Sequence, residues 1–234
     1  MREILEKGLT ETGLGTSCIP ALEEFSRLLL EKNKVMNLTA ITEPADVARL
    51  HLLDSLCLLG SVGSGGKLGK SVVDVGTGAG FPGMPLAIAV PEIEVTLLDS
   101  LGKRIAFLEE AAGALGLKNV SCVQARAEEF AGEHRESFDT AVSRAVAALP
   151  MLCELCLPLV KVGGCFVAMK SSHTEEEIKE SEQAIRVLGG RLADVENYRI
   201  PTTDVLHRLV KVEKVSPTPR KYPRRFALIK KQPL

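Results

Sequence analysis

Apolar residues at Leu22, Phe25, Leu28 and Leu29 keep the three-and-four spacing of an amphipathic helix, predicted over Pro20–Lys32. A second helix is predicted over Thr42–Leu59, with Thr42 as N-cap and Pro44 in the first turn. Asn33–Ile41 between them is turn-rich, and Ser61–Lys70 (SVGSGGKLGK) reads as a linker. Beyond it the pattern alternates between short β-branched runs and helical stripes. Val72–Val75, Val95–Leu98, Val120–Val123, Asp139–Val142 and Gly164–Met169 read as strands. Met84–Val90, Lys103–Leu115, Ala127–Phe130, Leu149–Leu159 and the acidic Thr174–Leu188 read as the helices between and after them, before closing strands Val195–Ile200 and Arg208–Val215. Five strand–helix units and a strand pair predict an α/β fold: a doubly wound, mostly parallel sheet with an antiparallel strand at one end. The expected division is a helical extension at 1–65, a sheet domain at 66–216 and a C-terminal tail at 217–234.

Composition narrows the class. The chain has 234 residues, 45% of them apolar, 25% charged and none Trp. Its most apolar stretch, Ala145–Val160, is broken by Pro150, Glu154 and Pro158 and is no membrane span. The first residues include Arg2, Glu3, Glu6 and Lys7 without the apolar core of a signal peptide, so a cytoplasmic protein is expected, with no membrane partner. The six cysteines lie among apolar neighbours, and Cys153-x-x-Cys156 has no second pair or His cluster to complete a zinc site; buried thiols and no metal are expected. Charge is more telling. The net is −1, yet Arg208–Leu234 holds nine Lys or Arg against the single acid Glu213, the footprint of a polyanionic partner.

Val72–Gly83 (VVDVGTGAGFPG) is a strand ending beside an acid, Asp74, then turning through Gly76, Gly78 and Gly80 toward a helix. Such a unit holds a nucleotide-like ligand at the carboxyl edge of a parallel sheet. Gly78-x-Gly80-x-x-Gly83 also fits a dinucleotide fingerprint, but a carboxylate at Asp74 would repel a pyrophosphate. A cationic or zwitterionic ligand tolerates it, and an acid followed by G-x-G-x-G is the pattern of Rossmann-like methyltransferases, which use S-adenosyl-L-methionine. Asp99, 23 residues past Gly76 at the end of the second strand, stands where an acid receives ribose hydroxyls, or caps the helix near Gly102. Ala127 and Glu128, after the third strand, fall where a backbone amide and a carboxylate meet an adenine edge; Glu128 also reads as a first-turn helix acid.

The residues after the fourth strand constrain the acceptor. Phe138–Val142 runs into Ser143-Arg144-Ala145, without the Asn/Asp-Pro-Pro-aromatic tetrad of adenine-amine methyltransferases or the Pro-Cys pair of pyrimidine-carbon enzymes. Guanine N7 needs neither. Its in-plane lone pair carries no proton, so alignment and stabilisation of the developing cation suffice.

Asn37–Ile41 (NLTAI), His51–Leu56 (HLLDSL), DVGTGAGFPGMPLAI and LLDSLGKRIAFL, in that order, closely resemble the bacterial RsmG (GidB) family from about Leu22 to Pro223. The resemblance implies a class I methyltransferase with a seven-stranded sheet, transferring methyl from S-adenosylmethionine to N7 of a guanine in the decoding-region loop of 16S ribosomal RNA. By the family pattern the cofactor site takes in Gly76, Phe81, Ala127, Glu128 and Arg144, with Asp99 as the second-strand acid. Lys170 matches a lysine near the end of the fifth strand, although Ser171 stands where many members have Gly; Arg144 and Lys170 are the candidates for positioning the acceptor. Thr218–Arg224 matches the longer branch of the family, whereas Phe226-Ala227-Leu228 departs from its Gly- and Pro-containing ending. The partner implied is 16S rRNA or the small ribosomal subunit, with a monomer expected.

His51 and Asp54, one helical turn apart, read as a hydrogen-bonded structural pair or as an RNA-facing one. Lys103 and Arg104 read as a solvated helix start or RNA contacts. Two other classes remain: a non-catalytic RNA-binding or ribosome-assembly factor, disfavoured by the intact glycine loop and Asp99, and a small-molecule methyltransferase, disfavoured by the basic tail.

Overall fold

The computed structural model describes residues 1–61, 68–144 and 146–234; most of the Ser61–Lys70 linker and the expected boundary at residue 65 lie outside them. Two helices open the chain, α1 (Arg2–Glu11) and α2 (Ile19–Met36). The predicted Thr42–Leu59 helix is α3 (Pro44–Val47), a π-helical stretch over Ala48–Leu53 and α4 (Asp54–Ser61). Its N-cap is Glu43 rather than Thr42. Apolar periodicity does not reveal such a π insertion, because the extra residue per turn leaves the apolar run unbroken.

Next come β1 (Ser71–Val75), α5 (Gly83–Ala89), β2 (Glu94–Asp99), α6 (Gly102–Ala114), β3 (Val120–Gln124), α7 (Ala127–Glu133) and β4 (Phe138–Arg144). The second half comprises α8 (Leu149–Cys156), β5 (Val160–Ser171), α9 (Glu175–Val187), β6 (Gly190–Arg199), β7 (Leu206–Lys214) and α10 (Phe226–Lys231). The strand order is β3-β2-β1-β4-β5-β7-β6, with β7 alone running opposite to the other six. This is the expected doubly wound sheet. β5 begins four residues earlier than predicted and β6 five earlier, since the added stretches, VKVG and GRLAD, mix glycine and charge with mostly exposed apolar residues and keep no clear alternation.

Strand alternation sorts the core into two layers. Val72, Leu97, Val142 and Val167 face α2, α4, α5 and α6; Val73, Leu98, Ala141 and Phe166 face α8, α9 and α10. Leu5, Leu22, Phe25 and Leu52 share the first layer, so the N-terminal helices are continuous with the core of the sheet. Cys153 and Cys156 are fully buried in the second, and burial pushes both thiols well up.

The tail is fastened down. Tyr222 and Ile229 are buried in the second layer, Arg224 pairs with buried Glu154 at 2.6 Å, and Arg135 donates to the carbonyls of Thr218, Pro219 and Tyr222. Lys214, also buried, pairs with Glu136 at 3.2 Å. Arg220, Lys221, Arg225, Lys230 and Lys231 remain exposed.

Candidate active site

The order reverses between β1 and β4, and the loops leaving their carboxyl ends diverge there. That is where doubly wound sheets bind ligands. A cleft of about 530 Å³ opens at this point.

Its floor is the glycine loop. Gly78 has φ +61°, a conformation disfavoured for side-chain-bearing residues, and an added Cβ would meet almost nothing but open space. Gly76 packs directly under Val146, whose side chain an added Cβ would strike, whereas Gly80 turns inward among Phe25, Met84 and Leu108. Asp74 lies wholly buried beneath the loop, on the α5 side of β1. Its Oδ2 accepts from Thr77 Oγ1 at 2.7 Å and from the Gly83 amide at 2.8 Å, while Oδ1 has no partner among the described residues. Burial pushes this carboxyl up to about 6, against the pull of those two hydrogen bonds. Gly83 permits the close seat of α5, since a Cβ there would collide with Leu97 and Asp74.

Asp99 lines the cleft. Its Oδ2 accepts from the Gly78 amide at 3.0 Å and Arg104 Nη1 at 3.2 Å, and its Oδ1 from the Leu101 amide at 2.9 Å. It thus braces the loop but does not cap α6, whose N-cap is Leu101. Ala127 and Glu128 begin α7 on the same wall, where first-turn amides have no intrahelical acceptor.

The opposite side is a polar network around Arg144, which ends β4. Nη1 donates to Asp54 Oδ2 at 2.8 Å and to the Leu50 carbonyl at 3.1 Å, and Nη2 lies 3.1 Å from His51 Nδ1. Nδ1 also lies 3.1 Å from the Leu50 carbonyl, so it sits between a group that only donates and one that only accepts, while Nε2 lies 2.8 Å from Thr39 Oγ1. Burial first, then the Arg144 charge, lowers His51 to about 4. Its ring stacks on Phe81 at 4.5 Å between centroids, and the Arg144 guanidinium lies 5.1 Å from the same ring centre. Asp54 also accepts from Tyr198 at 2.7 Å and His207 at 2.9 Å. Burial raises its pKa, but His207, Arg144 and Tyr198 together hold it below the ordinary carboxylate value.

His51 and Asp54 are therefore joined through Arg144 rather than to each other. Tyr198 and His207 come from β6 and β7, too remote in sequence for any local spacing to connect them with Asp54. Gly76, Gly78, Phe81, Asp99, Ala127, Glu128 and Arg144 meet in the cleft; Asp74 and Gly80 support it from below. Lys170 stands behind it, paired with Glu177 at 2.7 Å and donating to the Ala147 carbonyl at 3.0 Å, a brace on the β4–α8 loop. Lys103 is exposed and Arg104 is held by Asp99. Arg126 and Phe226, which no sequence motif singles out, also line the cleft.

The model of the rRNA small subunit methyltransferase G family matches residues 18–205. A protein of Alkaliphilus metalliredigens named ribosomal RNA small subunit methyltransferase G is 46% identical, covering 99% of this chain and 98% of its own length. One of the same name from Pelotomaculum thermopropionicum is 44% identical, covering 100% and 99%. Among solved structures, M. jannaschii TYW2 in complex with AdoMet superposes with a TM-score of 0.51 at 20% identity, over 62% of this chain and 68% of that one. A 16S rRNA (adenine(1408)-N(1))-methyltransferase from Catenulisporales acidiphilia gives 0.52 at 18% identity, over 64% and 87%. These two share the fold. The family model and these near-full-length relatives place the chain in the rRNA small subunit methyltransferase G family.

Proposed function

We propose that the protein transfers a methyl group from S-adenosyl-L-methionine to N7 of a guanine in the decoding-region loop of 16S rRNA. Family membership carries this reading, and the cleft fits the donor. A buried carboxylate beneath the glycine loop favours a sulfonium and an ammonium and opposes a pyrophosphate. Asp99 presents acceptor oxygen toward ribose hydroxyls, and the start of α7 offers Ala127 and Glu128 to the purine edge.

Bound there, S-adenosylmethionine supplies an electrophilic methyl group: the N7 lone pair forms the new C–N bond while the C–S electron pair returns to sulfur. The protein's part is alignment. None of the six cysteines lines the cleft, so it offers no thiolate of the kind needed for attack on a pyrimidine carbon. His51 is held neutral and hydrogen-bonded at both ring nitrogens. The charge of Arg144 is offset by Asp54, so this wall does not oppose the cation that develops on the purine. Exposed tail cations supply phosphate contacts, and the reaction takes place in the cytoplasm with the small subunit or its RNA as partner.

The test is incubation with methyl-labelled cofactor and separated small-subunit particles or 16S rRNA. Incorporation at a guanine whose strand then breaks on borohydride and aniline treatment supports N7 transfer. Label on an adenine or pyrimidine would refute the acceptor, and no transfer to either substrate would favour the non-catalytic RNA-binding factor.

A further inference from the structure

We propose that Phe226, from the C-terminal tail, forms one wall of the purine end of the cofactor cleft, so that the tail takes part in holding the adenosyl group. The proposal rests on the cofactor reading and adds a residue to it. Phe226 lines the cleft together with Ala125, Ala127 and Leu155, and it packs with them at the edge of the second core layer. Ala125 and Ala127 flank the turn from β3 into α7 and Leu155 comes from α8, at the end of the cleft beyond Asp99 where the purine edge is received. A half-buried aromatic face there offers what a purine binds best: a flat, apolar π surface.

Its place is fixed from three directions. The Arg126 guanidinium, at the N-cap of α7, lies 5.4 Å from the Phe226 ring centre. Two residues earlier, Arg224 is clamped to buried Glu154 through its backbone amide at 2.9 Å and its guanidinium at 2.6 Å. Three residues later, Ile229 is fully buried. The ring is thus a presented surface rather than a loose end. Its position in sequence, within Phe226-Ala227-Leu228, lies beyond the glycine loop and every other cofactor element by many residues, so no motif spacing points to it.

The chain contains no Trp, which gives a direct readout. Phe226→Trp introduces a single indole, and titration with S-adenosylhomocysteine should quench or shift its emission to saturation. Calorimetry on the unsubstituted protein with S-adenosylhomocysteine and 5′-methylthioadenosine tests the cofactor reading separately: absence of binding by both would refute that reading. Phe226→Ala should weaken both ligands by about the same factor, on the order of 10-fold, because the lost contact lies at the purine they share. Phe226→Leu, which keeps the tail's apolar packing, should fall between. Unchanged affinity in Phe226→Ala, tighter binding once the ring is removed, loss for S-adenosylhomocysteine alone, or invariant emission at saturation would each overturn the proposal.

Discussion

Arg144 at the end of β4 and Asp54 at the start of α4, 90 residues apart, meet at 2.8 Å on the edge of the cleft at the β1/β4 switch point. Asp54 is fully buried, and Arg144 is largely covered but reaches the cleft. The pair joins the N-terminal helices to the sheet, and through Tyr198 and His207 it reaches the two closing strands as well. It therefore fixes this wall of the cleft by a contact unconnected with the glycine loop.

Removing one partner should be costly. Asp54→Asn leaves the Arg144 charge buried without its counter-ion, and loss of about 3 kcal/mol of stability is expected. Arg144→Lys should also fail to restore the site, because a single ammonium cannot serve Asp54, the Leu50 carbonyl and His51 from one planar fork. Denaturant unfolding of both variants, with calorimetry of cofactor binding, checks this. Unaltered unfolding of Asp54→Asn would show that the pair contributes nothing net.

His51 should make stability fall on acidification. Its pKa is about 4 when folded against 6.5 for the free side chain, so between those values the unfolded chain binds more protons. The stability that the neutral ring contributes is complete above pH 6.5 and is lost as pH falls toward 4, about 3 kcal/mol in all. Asp74 works in the opposite sense, since its folded value is raised to about 6 from 3.8: its contribution is complete at low pH and is lost as pH rises through 6. Comparing unfolding free energies of the wild type and His51→Gln from pH 4 to 7 separates the two. In the wild type the two trends offset one another between pH 6 and 4, so the substituted protein, left with Asp74 alone, should gain stability on acidification relative to the wild type; an identical slope would mean that His51 is protonated freely in the fold.

The sheet is legible in the sequence for a physical reason. Val72, Val73 and Val75 are covered on both faces and so stand out as an apolar run. The loop from Gly76 to Gly80 stands out because its geometry demands glycine. The Arg144 network is not legible, since Asp54, Tyr198 and His207 are ordinary residues made partners by topology alone. Thr42 reads as a cap because its hydroxyl is of the favoured kind, whereas the structure has Glu43 there without a side-chain cap, and the π-helical stretch after Val47 has no compositional mark. The tail is legible as charge but not as structure: its anchors, Arg224 and Tyr222, look no different in sequence from its exposed cations.

Asp99→Ala should weaken S-adenosylmethionine binding by about 10–100-fold, from loss of roughly 1.5–3 kcal/mol of charged hydrogen bonding. The same change frees the Gly78 and Leu101 amides, so the melting temperature should fall too. Asp99→Asn retains an oxygen for one amide and should lie closer to the wild type in stability than in affinity. Calorimetry giving wild-type affinity for the alanine variant would remove Asp99 from the site.

The exposed tail cations separate an RNA enzyme from a small-molecule one. Arg220, Lys221, Arg225, Lys230 and Lys231 are exposed, while Arg224 and Lys214 are held by Glu154 and Glu136 and serve the fold. Converting only the exposed five to Gln removes charge while keeping the buried anchors Tyr222 and Ile229, at the cost of the Lys221 ammonium 5.2 Å from the Tyr222 ring centre. If those cations contact phosphates, RNA affinity should drop and its salt dependence become shallower, by about 0.7 in log–log slope per lost single-strand contact. Cofactor affinity should hold, because Phe226 keeps its seat. Truncation from Pro219 should behave differently, weakening RNA and cofactor together, since it removes both the charges and the ring. An unchanged salt slope in the five-fold Gln variant would mean that the tail serves the fold and the cleft alone, with RNA gripped by another surface.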